Sequence, residues 1–139
     1  MSSFGDAEAR RRFGEARVAR LATVSATGRP HLVPFVFALQ GDTIYSAVDA
    51  KPKRSQKLRR LDNIRADPRV SVLVDHYDED WTELWWVRAD GEARVAEEGP
   101  ERDRALDLLA GRYPQYVNNP PPGPAILIEV HLWTWWRGD

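Results

Sequence analysis

The sequence predicts a mainly β domain of the α+β kind: a six-stranded antiparallel barrel with about three helices filling its openings. Six runs are rich in β-branched and aromatic residues, and several are joined by short turn sequences such as SATGRP, QGD and DEDW. The chain has 139 residues, 42% hydrophobic and 29% charged. That suits one domain, residues 1–139, burying roughly two thirds of its unfolded surface.

The elements follow in order. DAEARRRFGEARVA, from about Asp6 to Ala19, reads as a short helix with Glu8 near its positive end, weakened by Gly14. VARLATVS, HLVPFVFAL and TIYSAV then form a hairpin meander. Pro34 cannot donate to a ladder, so it marks an edge, a bulge or a break in the second run. A second helix runs from about Ser55 and stops before Pro68, because the residue ahead of proline is biased out of the α region. Its spacing puts Leu58, Leu61 and Arg65 on one face, and Lys53, Lys57, Arg60 and Ile64 on another. RVSVLVDHY is a strong strand, and a long one runs through TELWWVRADGEARV. Pro100 to Arg112 is a helix with Leu106, Leu109 and Tyr113 at helical spacing. After the loop YPQYVNNPPPGP, the last strand turns Ile126, Ile128, Val130 and Leu132 one way and Glu129 and His131 the other.

Composition removes several function classes. A formal net charge of -1 gives no global pull toward nucleic acid, and no apolar run reaches the ~20 residues of a membrane span. The absence of cysteine excludes disulfides and thiolate metal sites; with a polar start lacking an apolar signal core, it makes the expected location cytoplasmic. No GxGxxG, P-loop or GxSxG pattern occurs. The cluster Asp75, His76, Asp78, Glu79 and Asp80 matches neither EF-hand nor zincin spacing and reads as a solvated turn. His31 and His131 read as hydrogen-bonded strand residues, and no metal site is expected.

Two features carry more chemistry. KPKRSQKLRR gathers Lys51, Lys53, Arg54, Lys57, Arg59 and Arg60 within ten positions, as a solvated helix face, a nucleic-acid patch or a pocket for a small anion. The six tryptophans, at 81, 85, 86, 133, 135 and 136, sit on or beside the fifth and sixth expected strands. Alternation sends one member of each adjacent pair into the barrel and the other outward, where a partner subunit or a flat aromatic ligand would cover it.

The stretches LATVSATGRPHLVPFVFAL, TIYSAVDAKPKRSQKLRRLDNIRADPRVSVLVD and WWVRADGEARV resemble the pyridoxamine 5'-phosphate oxidase-like superfamily of flavin and deazaflavin oxidoreductases. The resemblance spans roughly residues 13 to 136 and is closest to the actinobacterial branch that uses coenzyme F420. It implies a split β-barrel in Greek-key order, of the FMN-binding split-barrel type. It also implies a homodimer with the cofactor at its interface, and hydride transfer between F420, or alternatively FMN, and a small organic substrate. A non-catalytic F420, FMN or heme binder on the same barrel is the alternative. Val33, Pro34, Phe35 and Val36 would lie beside the ring, with Ser46 and Ala47 closing the near side. Lys51, Lys53, Arg54, Lys57 and Arg60 would hold the phosphate and acidic tail, and Asn63 would be structural. The implied partners are a small-molecule substrate and a second copy of the chain, with neither nucleic acid nor a membrane span.

Overall fold

The computed structural model describes the backbone of residues 5–49 and 54–139 and their side chains except those of 54–58. Helix α1 (Asp6–Glu15) leads into β1 (Ala19–Val24), β2 (Pro30–Phe35), β3 (Ala38–Gln40) and β4 (Thr43–Ala47). Then come α2 (Arg54–Ala66), β5 (Arg69–His76), β6 (Trp85–Ala96), α3 (Pro100–Arg112), the short α4 (Gln115–Asn118) and β7 (Ala125–Arg137). Every described strand pairing is antiparallel, in the order β2-β1-β5-β6-β7-β4-β3.

The expected second strand is two strands, which makes seven rather than six, and α4 brings the described α-helices to four. HLVPFVFAL breaks after Phe35: β2 pairs with β1 at one edge of the sheet, and β3 pairs with β4 at the other. Only Val36 and Phe37 separate these edges in sequence, so the chain itself closes the barrel. The expected meander is therefore two hairpins at opposite edges. Pro34, opposite Arg20, occupies an edge strand, where a missing N–H costs no ladder bond on the open side.

Side chains from the end of α3 satisfy the backbone at this break. The Phe37 N–H donates to the Tyr113 hydroxyl (3.2 Å), which has the Phe37 and Arg17 carbonyls within reach at 2.9 and 3.0 Å. Arg112 donates to the carbonyls of Phe37 (2.8 Å) and Ala16 (2.6 Å). A break in a buried strand is tolerable because these polar groups keep partners.

The barrel interior is filled by Phe13, Leu21, Phe37, Ile44, Val72, Val87 and Ile128, each fully buried. α1 contributes Phe13, whose ring centroid lies 5.1 Å from both Phe37 and Trp133. α2 contributes Leu61 and Ile64, while Arg65 is exposed. That corrects the expected faces of α2: Ile64 shares the core side with Leu61 and Arg65 does not. α3 packs Ala105 and Leu109 against the outer side of β4 and β7, which explains why Leu127 is buried next to inward-facing Ile126 and Ile128.

The last strand departs from simple alternation. Gly91 pairs with Val130 and Asp90 with Leu132, leaving His131 as the extra residue of a bulge. The bulge shifts the face by one residue, so Leu132 points outward (57% exposed) and Trp133 inward (9%), against the expected inward Leu132. Beyond it, Trp85, Trp133 and Trp135 pack on the core, while Trp86 and Trp136 pair directly across the outer face.

Two half-buried carboxylates are held well below their ordinary range by arginine. Hydrogen bonds from Arg11 and Arg12 lower Glu8 from 4.5 to about 2, and those from Arg69 lower Asp67 from 3.8 to about 2. Depressed carboxylates add stability that is complete above their ordinary values and is lost as pH falls through the lowered ones. Acid titration by NMR should find both midpoints near 2; a Glu8 midpoint near 4.5 would mean that its arginine contacts do not persist in solution.

Candidate functional site

Two elements define the site's frame: edge strand β2, and α2, which packs against the neighbouring β1 and β6. Asn63 of α2 is buried and donates to the Thr23 hydroxyl of β1 at 3.0 Å. Thr23 is the ladder partner of His31 on β2, so one hydrogen bond docks α2 next to His31. Asn63 thus has the structural role expected of it.

The second-strand candidates divide among three environments. Val33 and Phe35 face the core, and Phe35 stacks on Phe37 at 5.8 Å. Pro34 is exposed on the outside of the sheet. Val36 packs on the cluster of Ala38, Ala47, Leu109 and Tyr113. Ser46 is buried and donates to the Val36 carbonyl at 2.8 Å, so Val36, Ser46 and Ala47 come together at the strand break. Tyr116 of α4 packs on the same cluster, and burial, with the nearby Asp49 charge, raises its phenol above the usual value. Tyr116 falls in the stretch expected as the loop YPQYVNNPPPGP; its only trace in the sequence is an aromatic residue just after a helix end.

The basic run is described in part. Lys51 and Lys53 lie outside the described residues, as do the side chains of Arg54 and Lys57, whose backbone belongs to α2. Arg59 is exposed. Arg60 is half-buried, its Nε is shielded with no partner among the described residues, and burial lowers its affinity for the proton. His31 was expected to be hydrogen-bonded, yet its Nδ1 is also shielded, with no partner among the described residues. Burial first, then the charges of Arg59 and Arg60, push the imidazole below its ordinary value. No sequence signal identified His31, because its surroundings come from α2, more than twenty residues later.

Outside the barrel, on strands β2 to β7, lies an uncovered apolar face. Leu32, Leu73, Leu132 and Trp136 are exposed there, beside Trp86, and Leu32, Leu73 and Trp86 line a depression of about 540 Å³. Its charges are matched within the chain: Arg20 lies 3.7 Å from Asp75, and Arg88 lies 3.0 Å from Asp90. Ser71 also donates to Asp90, at 2.5 Å. Such a face can be covered without stranding a charge.

The family model described as pyridoxamine 5'-phosphate oxidase matches residues 6–137. No curated protein matches this chain. Among solved structures, a conserved hypothetical protein from Mycobacterium tuberculosis is 25% identical, with 99% of this chain and 87% of that one covered and a TM-score of 0.76. A FAD-binding protein from Mesorhizobium loti is 23% identical over 95% of this chain and 94% of its own, with a TM-score of 0.70. The heme storage protein from Vibrio cholerae is 16% identical over 95% of this chain and 93% of its own, with a TM-score of 0.71.

Proposed function

Because this chain belongs to the pyridoxamine 5'-phosphate oxidase family, we propose that it is an oxidoreductase that binds coenzyme F420, with FMN as the alternative, and transfers a hydride to or from a small organic substrate. The supporting observation is the pair of shielded, unsatisfied nitrogens on Arg60 and His31 beside the basic run. Buried donors without partners are rare in folded proteins, and a phosphate-bearing ligand would satisfy them. Several cations in one segment suit the separated anions of F420 better than the single phosphate of FMN.

When bound, the deazaflavin supplies two-electron hydride chemistry. The chain's own part is positioning. In this reading, Lys51, Lys53, Arg54, Lys57 and Arg60 hold the phosphate and acidic tail, while the segment carrying Val33, Pro34, Phe35 and Val36 runs beside the ring, with Ser46 and Ala47 closing its near side. Ser46 keeps the Val36 carbonyl fixed, so the strand break presents a rigid wall.

The reading includes a homodimer formed through the outer face of the sheet. Pro34 lies on that face, as do Leu32 and Leu73, so a second copy seated there would reach the edge of the ring site. The uncovered tryptophan pair and the internally matched charges support this arrangement.

Titration of the purified chain with F420, FMN and heme, followed by absorbance and fluorescence, tests the assignment. FMN binding with no response to F420 would replace the first choice with the alternative. The resemblance in fold to a heme storage protein keeps a carrier role in view. Bound cofactor without hydride transfer to activated alkenes, quinones or tetrapyrroles would favour that role. Lys53→Ala and Lys57→Ala are each expected to weaken cofactor binding by ~10-fold or more without loss of folding. Unchanged affinity in both variants would place the phosphate elsewhere.

A further inference from the structure

Helix α2 runs into the start of β5, and at the far end of that strand a cavity of about 610 Å³ opens between α1 and the sheet. That volume falls within the range of small-molecule sites. One wall is a row of ladder partners. His76, the last residue of β5, pairs with Trp85, the first of β6, and Trp85 pairs with Arg137, the last of β7. Each lies two residues from an inward-facing neighbour, Val74, Val87 or Trp135, so alternation sets all three side by side on the inward face. The rings of His76 and Trp85 stack, with centroids 6.0 Å apart and planes 18° from parallel. From α1 the Arg12 guanidinium carbon lies 5.3 Å from the Trp85 ring centroid. The Gly138 N–H donates to the Leu84 carbonyl at 2.9 Å, which ties the end of β7 to the residue before β6.

The charged groups around this row differ in how they are held. Glu8 and Glu15 hold Arg11 along α1, and Glu8 also holds Arg12. Asp75 lies 3.7 Å from Arg20, and Glu83 is exposed. Arg137 aims two nitrogens at Asp139: Nε donates to one carboxylate oxygen at 2.6 Å and Nη2 to the other. The Arg137 side chain is 20% exposed and that of Asp139 is 48% exposed. A shielded guanidinium fork is therefore filled by a carboxylate from the wetter side, beyond the last strand residue. Another carboxylate can take that place with the same two bonds, and the exchange leaves the charge in the cavity unchanged.

We propose that this cavity is a binding site for a planar aromatic carboxylate, which displaces Asp139 from the Arg137 fork and lays its ring against the His76 and Trp85 row. None of the residues assigned to the cofactor lines the cavity, so the inference stands apart from the F420 reading. The fork fixes the plane of the carboxylate, and Val74, Leu84 and Trp85 supply apolar contact for the ring. A neutral analogue leaves Asp139 in place and gains only ring burial. An ammonium analogue cannot use the fork and would depend on Glu83.

The probe is 2-naphthoate, titrated into the full chain without cofactor and compared with 2-naphthylmethanol and 2-naphthylmethylamine. NMR locates binding through the His76 imidazole and the Trp85 indole N–H. Both should shift and saturate with 2-naphthoate, and the alcohol should bind ~10-fold or more weakly. Arg137→Gln should lower 2-naphthoate affinity to that of the alcohol. Asp139→Asn removes the internal competitor and should raise the affinity ~3-fold or more, an effect that a change in folding would not mimic. Saturation with 2-naphthoate that leaves the His76 and Trp85 signals unmoved would overturn the proposal. So would wild-type affinity in Arg137→Gln, or tighter binding of the amine than of the carboxylate.

Discussion

Gly91→Ala is expected to destabilise the protein by about 2–4 kcal/mol, a drop in melting temperature on the order of 10 °C. A Cβ at this position would sit 2.0 Å from the Glu129 carbonyl oxygen, 2.9 Å from its carbonyl carbon and 3.0 Å from the Val130 Cα. All three are backbone atoms of β7, which is tied to both β6 and β4. No side-chain rotation can relieve the clash, so β7 must move away and give up ladder bonds. Because this contact abuts the His131 bulge, the displacement also disturbs the register that turns Trp133 inward. Gly111→Ala in α3 is the matched control: nothing lies within 4 Å, so the better helix propensity of alanine should leave stability unchanged or raised by roughly 0.5–1 kcal/mol. Equal denaturation midpoints for Gly91→Ala and the wild type would show that β6 and β7 do not approach this closely in solution.

Leu32→Glu should convert the proposed dimer to a monomer at micromolar concentration and lower cofactor affinity at least ~100-fold, through a buried charge at the interface. Leu32 is 67% exposed in the single chain and opposite Ala22 on an edge strand, so a carboxylate there meets water and leaves the isolated fold intact. If a second copy covers the face, the same carboxylate must be desolvated beside Arg20 and Arg88, whose charges Asp75 and Asp90 already match. Light scattering during gel filtration reads the mass, and cofactor titration on the same samples reads the site. Val117→Glu makes the comparison: Val117 is 63% exposed on α4, away from this face, and should leave the mass unchanged. A wild-type chain that elutes as a monomer while binding cofactor tightly would remove the dimer from the functional reading.

The local elements were legible because short-range chemistry decides them. Pro100 opens α3 and the residues through Arg112 carry its apolar spacing, so the expected and observed bounds coincide. Pro34 was readable as an edge or break because a missing N–H is a property of the residue alone. The bulge at His131 left no such mark: its cause is the unequal residue count between two strands, and the periodicity of β7 by itself looked unbroken. The faces of α2 were misassigned for a related reason. Its spacing was divided into two stripes, one holding Leu61 and the other Ile64, whereas the barrel takes both, on the side from which Asn63 reaches Thr23.

The site shows the same division. Lysines and arginines are conspicuous in KPKRSQKLRR, and side-chain charge needs no fold to be recognised. His31, Tyr113 and Tyr116 became informative only when their neighbours arrived from distant parts of the chain. By itself the sequence determined a β-rich domain, most of its strand and helix positions, the basic segment and the family pattern. All of these depend on residue identity and short spacings. Tertiary structure alone decided that the second run splits between opposite sheet edges, that Leu132 faces outward, and that His31 Nδ1 and Arg60 Nε are shielded with no partner among the described residues. Those outcomes depend on which segments pack together, because solvent exclusion and hydrogen-bond satisfaction are set by surroundings assembled across the whole chain.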